Sequence, residues 1–182
     1  MKINYFLEKS LDKTCVALGY FDGIHLGHQA VINTTVKKAQ LTHTIPTIFT
    51  FSQNPKSIIR NTEIKNISTQ VQKEKSLCDI GIKLLYCVNF SEIKDLPPIE
   101  FVEKILVNTL QAKYVFCGFN FHFGKSASAN DDLIEICKKY DIEASVIEPV
   151  KINGTIVSSS QIRECILKGE IKKVNMLLGK NK

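Results

Sequence analysis

At 182 residues the chain is long enough to bury one sizeable core and short for two, and 44% hydrophobic with 23% charged residues excludes fibrous and disordered classes. No apolar run reaches the length of a membrane span, and Met1-Lys2-Ile3-Asn4-Tyr5 lacks the basic-then-apolar pattern of a signal peptide, so a cytoplasmic protein without a membrane partner is expected. The net charge of +6 favours anionic partners, whether nucleic acid, an anionic membrane surface or phosphorylated small molecules, and does not choose among them, but the lysines are spread along the helices and do not cluster with aromatics, which sets nucleic acid aside.

Short apolar runs alternate with helical patterns along the whole chain, the signature of an α/β domain with a mostly parallel sheet. The first run, Cys15 to Tyr20, passes through Phe21-Asp22-Gly23 into a helical stretch from about Leu26 to Gln40, and a strand follows at Ile45 to Phe51. A polar helix near Ser68 to Asp79 leads to a strand at Ile82 to Val88. The helix after Pro97-Pro98 carries Ile99, Val102, Leu106 and Leu110 on one face.

Tyr114 to Cys117 reads as a strand, Leu133, Ile136, Cys137 and Tyr140 repeat at helical spacing, and Ala144 to Ile147 is a further strand. Asn153-Gly154 between Val150-Lys151-Ile152 and Thr155-Ile156-Val157 predicts a tight hairpin. Ser158 with Gln161 fits a capping box that opens a helix lined by Ile162, Cys165 and Ile166 and stopped by Gly169. A last amphipathic segment carries Ile171, Val174, Leu177 and Leu178. The six cysteines show no C-x-x-C pair and sit among apolar neighbours, so they read as buried free thiols in a reducing compartment, with no metal centre expected.

Two stretches carry chemistry. In Gly19 to His28 a strand ends in glycine-rich sequence and turns into a helix, which gathers free backbone N–H groups and a positive helix end at one point. Gly23 and Gly27 let a ligand approach the backbone. His25 and His28 stand three residues apart around the first helical turn, where imidazole N–H groups can donate to phosphate and a protonated ring would add charge. The same residues suit a metal pair, a helix cap, or one core histidine beside an exposed one, and Asp22 suits a residue that only shapes the turn. In the second stretch Ser158-Ser159-Ser160 opens a helix with Arg163 one turn on, so hydroxyls, N–H groups and a guanidinium can converge on an anion; simple capping is the alternative.

The segment Gly19-Tyr20-Phe21-Asp22-Gly23-Ile24-His25-Leu26-Gly27-His28 resembles the opening motif of the H-x-G-H nucleotidyltransferase superfamily, in the G-x-F-D-G-x-H-x-G-H form of bacterial FAD synthetases. Val157-Ser158-Ser159-Ser160-Gln161-Ile162-Arg163 is similar to that family's I-S-S-T-x-I-R pattern. The resemblance implies that Gly19, Phe21, Asp22, Gly23 and Gly27 border ATP. It implies that His25 and His28 stabilise charge on the phosphates, and that Ser159, Ser160 and Arg163 clamp them from the far end of the chain.

Gly118-Phe119-Asn120-Phe121-His122-Phe123-Gly124-Lys125 alternates strictly, which in an extended segment puts three phenylalanines on one side, suited to a flat ring system or to a core face. It is similar to the family's G-x-[D/N]-F-x-F-G-[K/R] segment. The resemblance makes Asn120 an active-site contact and Phe121, Phe123 and Lys125 flavin-binding. Thr50-Phe51-Ser52-Gln53-Asn54-Pro55 resembles the family's T-F-x-P-H-P turn, placing Phe51, Asn54 and Pro55 at the flavin, although Gln53-Asn54 stands where the family has Pro-His. Where the family continues G-K-x-R-x-G-D, this chain reads Gly124-Lys125-Ser126-Ala127-Ser128-Ala129-Asn130, without the arginine and the acid.

The resemblance also covers Pro98 to Leu110 and the closing Leu177-Leu178-Gly179-Lys180. It implies a Rossmann-like, doubly wound, mostly parallel five-stranded sheet with helices on both faces and a small hairpin before the C-terminal helices. One nucleotidyltransferase domain over residues 1–182 is expected, without the riboflavin kinase barrel that usually follows in the family. The implied activity is AMP transfer from Mg-ATP to FMN, giving FAD and pyrophosphate, with Mg²⁺ accompanying ATP. The departures keep two alternatives open: another mononucleotide-type acceptor, or a nucleotide-binding protein of weak catalysis.

Overall fold

The computed structural model describes residues 1–125 and 130–180. Six parallel strands form one sheet in the order β1-β4-β3-β2-β5-β6. They are β1 (Lys2–Asn4), β2 (Thr14–Leu18), β3 (Ile45–Phe51), β4 (Leu84–Val88), β5 (Ala112–Gly118) and β6 (Glu143–Ile147). The five expected strands are present within a few residues of their predicted limits. The sixth, β1, corrects the expected count: three residues are too short for a periodic signal, and Lys2-Ile3-Asn4 become a strand only by pairing with Leu84-Leu85-Tyr86.

Every residue of β2 and β4 is buried, as expected for parallel strands covered on both faces. Alternation then divides the core. Cys15 and Ala17 pack with Ile48, Leu85 and Phe116 beneath α1 (Leu26–Thr42), whose Val31, Ile32 and Ala39 face the sheet. Val16 and Leu18 point to the other face, into a larger cluster with Phe49, Tyr86, Phe101, Val102, Leu106 and Leu133. Helices thus cover both faces, completing the doubly wound α/β architecture.

Short α2 (Pro55–Arg60) follows β3, and α3 (Gln70–Ile80) carries a complete Thr69–Gln72 capping box. The helix after Pro97 begins as α4 (Pro98–Glu100) and continues as a π-helix over Phe101–Thr109. The wider winding changes the buried face: Phe101, Val102, Ile105 and Leu106 are inside, while Ile99, expected on the apolar face, is 47% exposed. α5 (Asn130–Lys138) buries Leu133 and Cys137. β7 (Lys151–Ile152) and β8 (Thr155–Ile156) form the predicted hairpin, with Asn153 and Gly154 at φ 50° and 77°.

α6 (Ser159–Leu167) and α7 (Ile171–Leu177) close a third apolar cluster of Val157, Ile162, Cys165, Val174, Leu177 and Leu178, which reaches Leu26 and Ile67. The expected capping box of α6 is half made. Ser158 accepts from the Gln161 N–H, but the Gln161 side-chain oxygen has no partner among the described residues. Five cysteines are buried and all six are free; Cys78, on α3, is exposed, contrary to the reading of six buried thiols.

Candidate active site

The chain leaves β2 for β3 on one side, and β5 lies on the other. The crevice between their carboxyl ends is therefore the point where an open α/β sheet binds ligands. A cavity of about 480 Å³ lies there, within the roughly 300–1,000 Å³ typical of small-molecule sites. Its wall brings together Gly19, Phe21, Asp22, His25, Gly27, His28, Phe51, Asn54, Pro55, Asn120, Phe121, Phe123, Ser159, Ser160 and Arg163. Two residues singled out in the sequence, Gly23 and Lys125, are not part of that wall.

The first end of the cavity is the turn from β2 into α1. Phe21 and Ile24 adopt positive φ (55° and 42°), a costly conformation for bulky side chains that concentrates at ligand sites, and Gly23 shares it at 77°. A Cβ on Gly23 would also lie 2.7 Å from the Ile67 side chain. His25 caps α1 itself: its Nδ1 accepts from the His28 backbone N–H at 3.3 Å. The neutral His25 ring therefore carries its proton on Nε2. The two imidazoles stack with centroids 3.6 Å apart and planes inclined by 19°, and the Phe21 ring meets His28 edge-on at 5.3 Å. Gly27 permits this, because a Cβ there would press on the His25 ring at 3.2 Å.

Burial, followed by the positive charge of Arg163, lowers the His25 pKa from an ordinary 6.5 to about 4. Burial also depresses His28 well below the ordinary value, with His25 and Lys73 adding to it. At neutral pH both rings are uncharged N–H donors. The buried Nδ1 of His28 has no partner among the described residues.

The second element comes from the far end of the chain. Arg163, one turn into α6, forms an ion pair with the buried carboxylate of Asp22 and donates through Nε to the Lys65 carbonyl at 2.8 Å. Asp22 also accepts from the Ile67 and Ser68 N–H groups at 2.9 and 3.2 Å, and Ser159 Oγ donates to the Asp22 carbonyl at 3.3 Å. Asp22 thus fastens the histidine turn, the 65–68 segment and α6 into one frame. Its turn-shaping role is visible directly, and the start of α6, with Ser159 and Ser160, joins the histidines in the cavity wall.

The other half of the cavity is aromatic. Phe51 packs edge-on against Phe90 at 5.1 Å, and Phe121 and Phe123 lie nearly coplanar in direction, 5° apart, with centroids at 6.4 Å. The alternation after Gly118 does not produce the expected three-phenylalanine face. β5 ends at Gly118, the Phe121 N–H turns back to the Gly118 carbonyl, and the Asn130 side-chain amide donates to the Phe119 carbonyl at 2.7 Å, so Phe119 is left 42% exposed. Asn120 is exposed on the cavity wall. Asn54 is buried and caps α2, its Oδ1 accepting from the Lys56 N–H at 3.0 Å. The altered residues Ser126, Ala127, Ser128 and Ala129 lie outside the described residues.

Sequence reasoning missed Phe90 in the wall and Lys73 beneath it. Phe90 stands just after β4 with no motif around it. Lys73 lies one helical turn before the buried Leu77, and that spacing alone could have placed it inward.

A family model described as FAD synthetase matches residues 7–161 of this chain. The chain is 33% identical over 170 residues to a FAD synthetase of Listeria monocytogenes, an alignment covering 90% of this chain and 68% of that protein. It is 30% identical over 169 residues to a bifunctional riboflavin kinase/FMN adenylyltransferase of the same organism, covering 90% of this chain and 53% of the relative. The chain thus spans about half the length of that relative. Its fold is similar to the crystal structure of a Streptococcus pneumoniae protein described as a macrolide-efflux protein, with a TM-score of 0.83 and 30% identity, covering 93% of this chain and 57% of that one. No helix among the described residues is long and apolar enough to cross a membrane. With the H-x-G-H turn and the serine-arginine helix start brought into one cavity, and the family model matching most of the length, the chain belongs to the FAD synthetase family.

Proposed function

We propose that the chain is a cytoplasmic FMN adenylyltransferase that moves AMP from Mg-ATP to the terminal phosphate of FMN, giving FAD and pyrophosphate. The observation that carries this reading is one cavity whose His25–His28 stack and Arg163-anchored helix start face a half walled by phenylalanines. Six free thiols suit the reducing compartment. Magnesium enters with ATP as part of the substrate. No three His, Cys, Asp or Glu side chains cluster among the described residues, and Mg²⁺ characteristically keeps water and phosphate ligands.

Nucleophile and leaving group are both phosphates that are anionic at neutral pH, so positioning and charge neutralisation outweigh proton transfer. In this reading the FMN phosphate attacks the α-phosphorus in line, and the bond to the bridging oxygen of pyrophosphate breaks. His25 donates through Nε2–H and His28 through its ring N–H to the phosphate oxygens where charge grows. Arg163 and the Ser159 and Ser160 N–H groups hold the polyphosphate, bordered by Gly19, Phe21 and Gly27. Gly23 serves through its backbone conformation. Asn120, exposed on the cavity wall, orients the attacking phosphate, and Phe51, Pro55, Phe121 and Phe123 take the flavin. Loss of one such donor lowers turnover by about a hundredfold.

The test is to incubate the protein with Mg-ATP and FMN, riboflavin or nicotinate mononucleotide in turn, and to separate the products by chromatography. FAD from FMN alone is expected. Pyrophosphate release with a different acceptor, or ATP binding without any pyrophosphate release, sinks the assignment and selects between its two alternatives.

A further inference from the structure

Lys73 is the one lysine that the fold buries, at 5% exposure, among the described residues. It projects from α3 to the underside of the turn that carries the histidines. There its Nζ lies 3.4 Å from the Tyr20 carbonyl and 4.6 Å from the centroid of the Tyr20 ring. The same carbonyl accepts from Thr50 Oγ1 at 2.9 Å, so Tyr20 is pinned from two sides. Lys73 makes no salt bridge among the described residues.

An ammonium group held out of water by one long hydrogen bond and a ring face is unfavourable unless another charge compensates it. The nearby carboxylates have other partners. Asp22 is bound to Arg163, Ile67 and Ser68, and Glu74 accepts from Tyr5 and Gln70. Cys87 and Tyr20, the other titratable neighbours, are held protonated by burial. Burial lowers the Lys73 pKa, and Cys87, Asp22 and Glu74 offset this only in part, so a polyphosphate in the neighbouring cavity would add the counter-charge the site lacks.

We propose that Lys73 is a positioning residue of the phosphate site, whose buried charge acts through the Tyr20-to-His28 turn to hold ATP while its hydrogen bond fixes the Tyr20 carbonyl. The proposal rests on the reading of that turn as the ATP phosphate site. Lys73 does not line the cavity, so it exerts a fixed potential and makes no contact with substrate. The same charge helps keep His28 neutral, with one ring N–H left to donate.

Lys73→Met removes charge and hydrogen bond at similar length, Lys73→Gln keeps a donor without charge, and Lys73→Arg keeps the charge. Calorimetric titration with Mg-ATP, FMN titration, the thermal midpoint and NMR titration of the His28 ring are read for each. The Met and Gln variants are expected to bind Mg-ATP about tenfold more weakly, with FMN affinity unchanged and the midpoint equal or higher. His28 should titrate at higher pH in both, and the Arg variant should restore ATP affinity. Unchanged ATP affinity in folded Gln variant, or equal losses for ATP and FMN with a lowered midpoint, overturns the proposal in favour of a structural lysine. If the unmodified protein binds no Mg-ATP, the phosphate-site reading fails first and this one with it.

Discussion

The carboxylate of Asp22 and the guanidinium of Arg163, 141 residues apart in sequence, form an ion pair at the mouth of the histidine turn. Asp22 is almost wholly buried, whereas the Arg163 side chain is 23% exposed, so the pair is only partly shielded from water. Its value lies in geometry: it orients α6 towards the histidines.

Asp22→Ala strands the Ile67 and Ser68 N–H groups together with the arginine. It should lower unfolding free energy by on the order of 3 kcal/mol, after discounting the exposed side of the pair. Urea unfolding measures this. Arg163→Lys keeps the charge but cannot bridge Asp22 and the Lys65 carbonyl together. It should leave the unfolding free energy within about 1 kcal/mol while reducing kcat/KM for ATP by about a hundredfold. A lysine variant with unaltered kinetics would remove Arg163 from the proposed phosphate clamp.

The histidine pair predicts an acid transition. The folded pKa of His25 is depressed to about 4 from 6.5, so between these values the unfolded chain binds more protons and stability rises with pH. The contribution is fully present above pH 6.5 and lost as pH falls towards 4, on the order of 3 kcal/mol for His25. His28 adds in the same direction. The slope of urea midpoint against pH should flatten in His25→Asn. Bound polyphosphate opposes the shift, so ATP binding near pH 6 should take up protons, which appears as a dependence of calorimetric heat on the buffer's ionisation enthalpy.

In the proposed site, Asn54 allows folding and acceptor binding to be tested separately. Its Oδ1 caps α2, and only its amide N–H groups remain for the cavity. Asn54→Asp preserves the cap and places a negative charge towards an anionic acceptor. It should leave the thermal midpoint within a few degrees and raise the KM for FMN about tenfold or more. Asn54→Ala should cost about 1 kcal/mol of stability through the lost cap. Equal FMN affinity in the aspartate variant would place the acceptor phosphate elsewhere.

Gly27→Ala tests the histidine stack. The added methyl meets the His25 ring at 3.2 Å and the Val157 carbonyl at 3.5 Å, so the ring must shift by a few tenths of an ångström. Turnover should fall by about a hundredfold. Stability should fall little, since alanine has a higher helix propensity than glycine. Comparing kcat with the thermal midpoint decides the point.

Local pattern determined much of this protein. The apolar runs Cys15 to Leu18 and Ile45 to Phe51, the Asn153-Gly154 turn and the caps of α1 and α6 act within a few residues, and all are legible in sequence. So were the two constellations, because phosphate binding at a turn or helix start needs contiguous backbone. What only the tertiary structure decided depends on partners distant in the chain. β1 exists because Leu84 to Tyr86 lie beside it, and Phe119 turns outward because Asn130 holds its carbonyl. Asp22 becomes a tie because Arg163 arrives from α6. The charge state of His25 and His28 is the sharpest case. Imidazole chemistry permits a proton near neutral pH, and burial beside Arg163 and Lys73 removes it, because a low-dielectric site with other cations disfavours the charged ring.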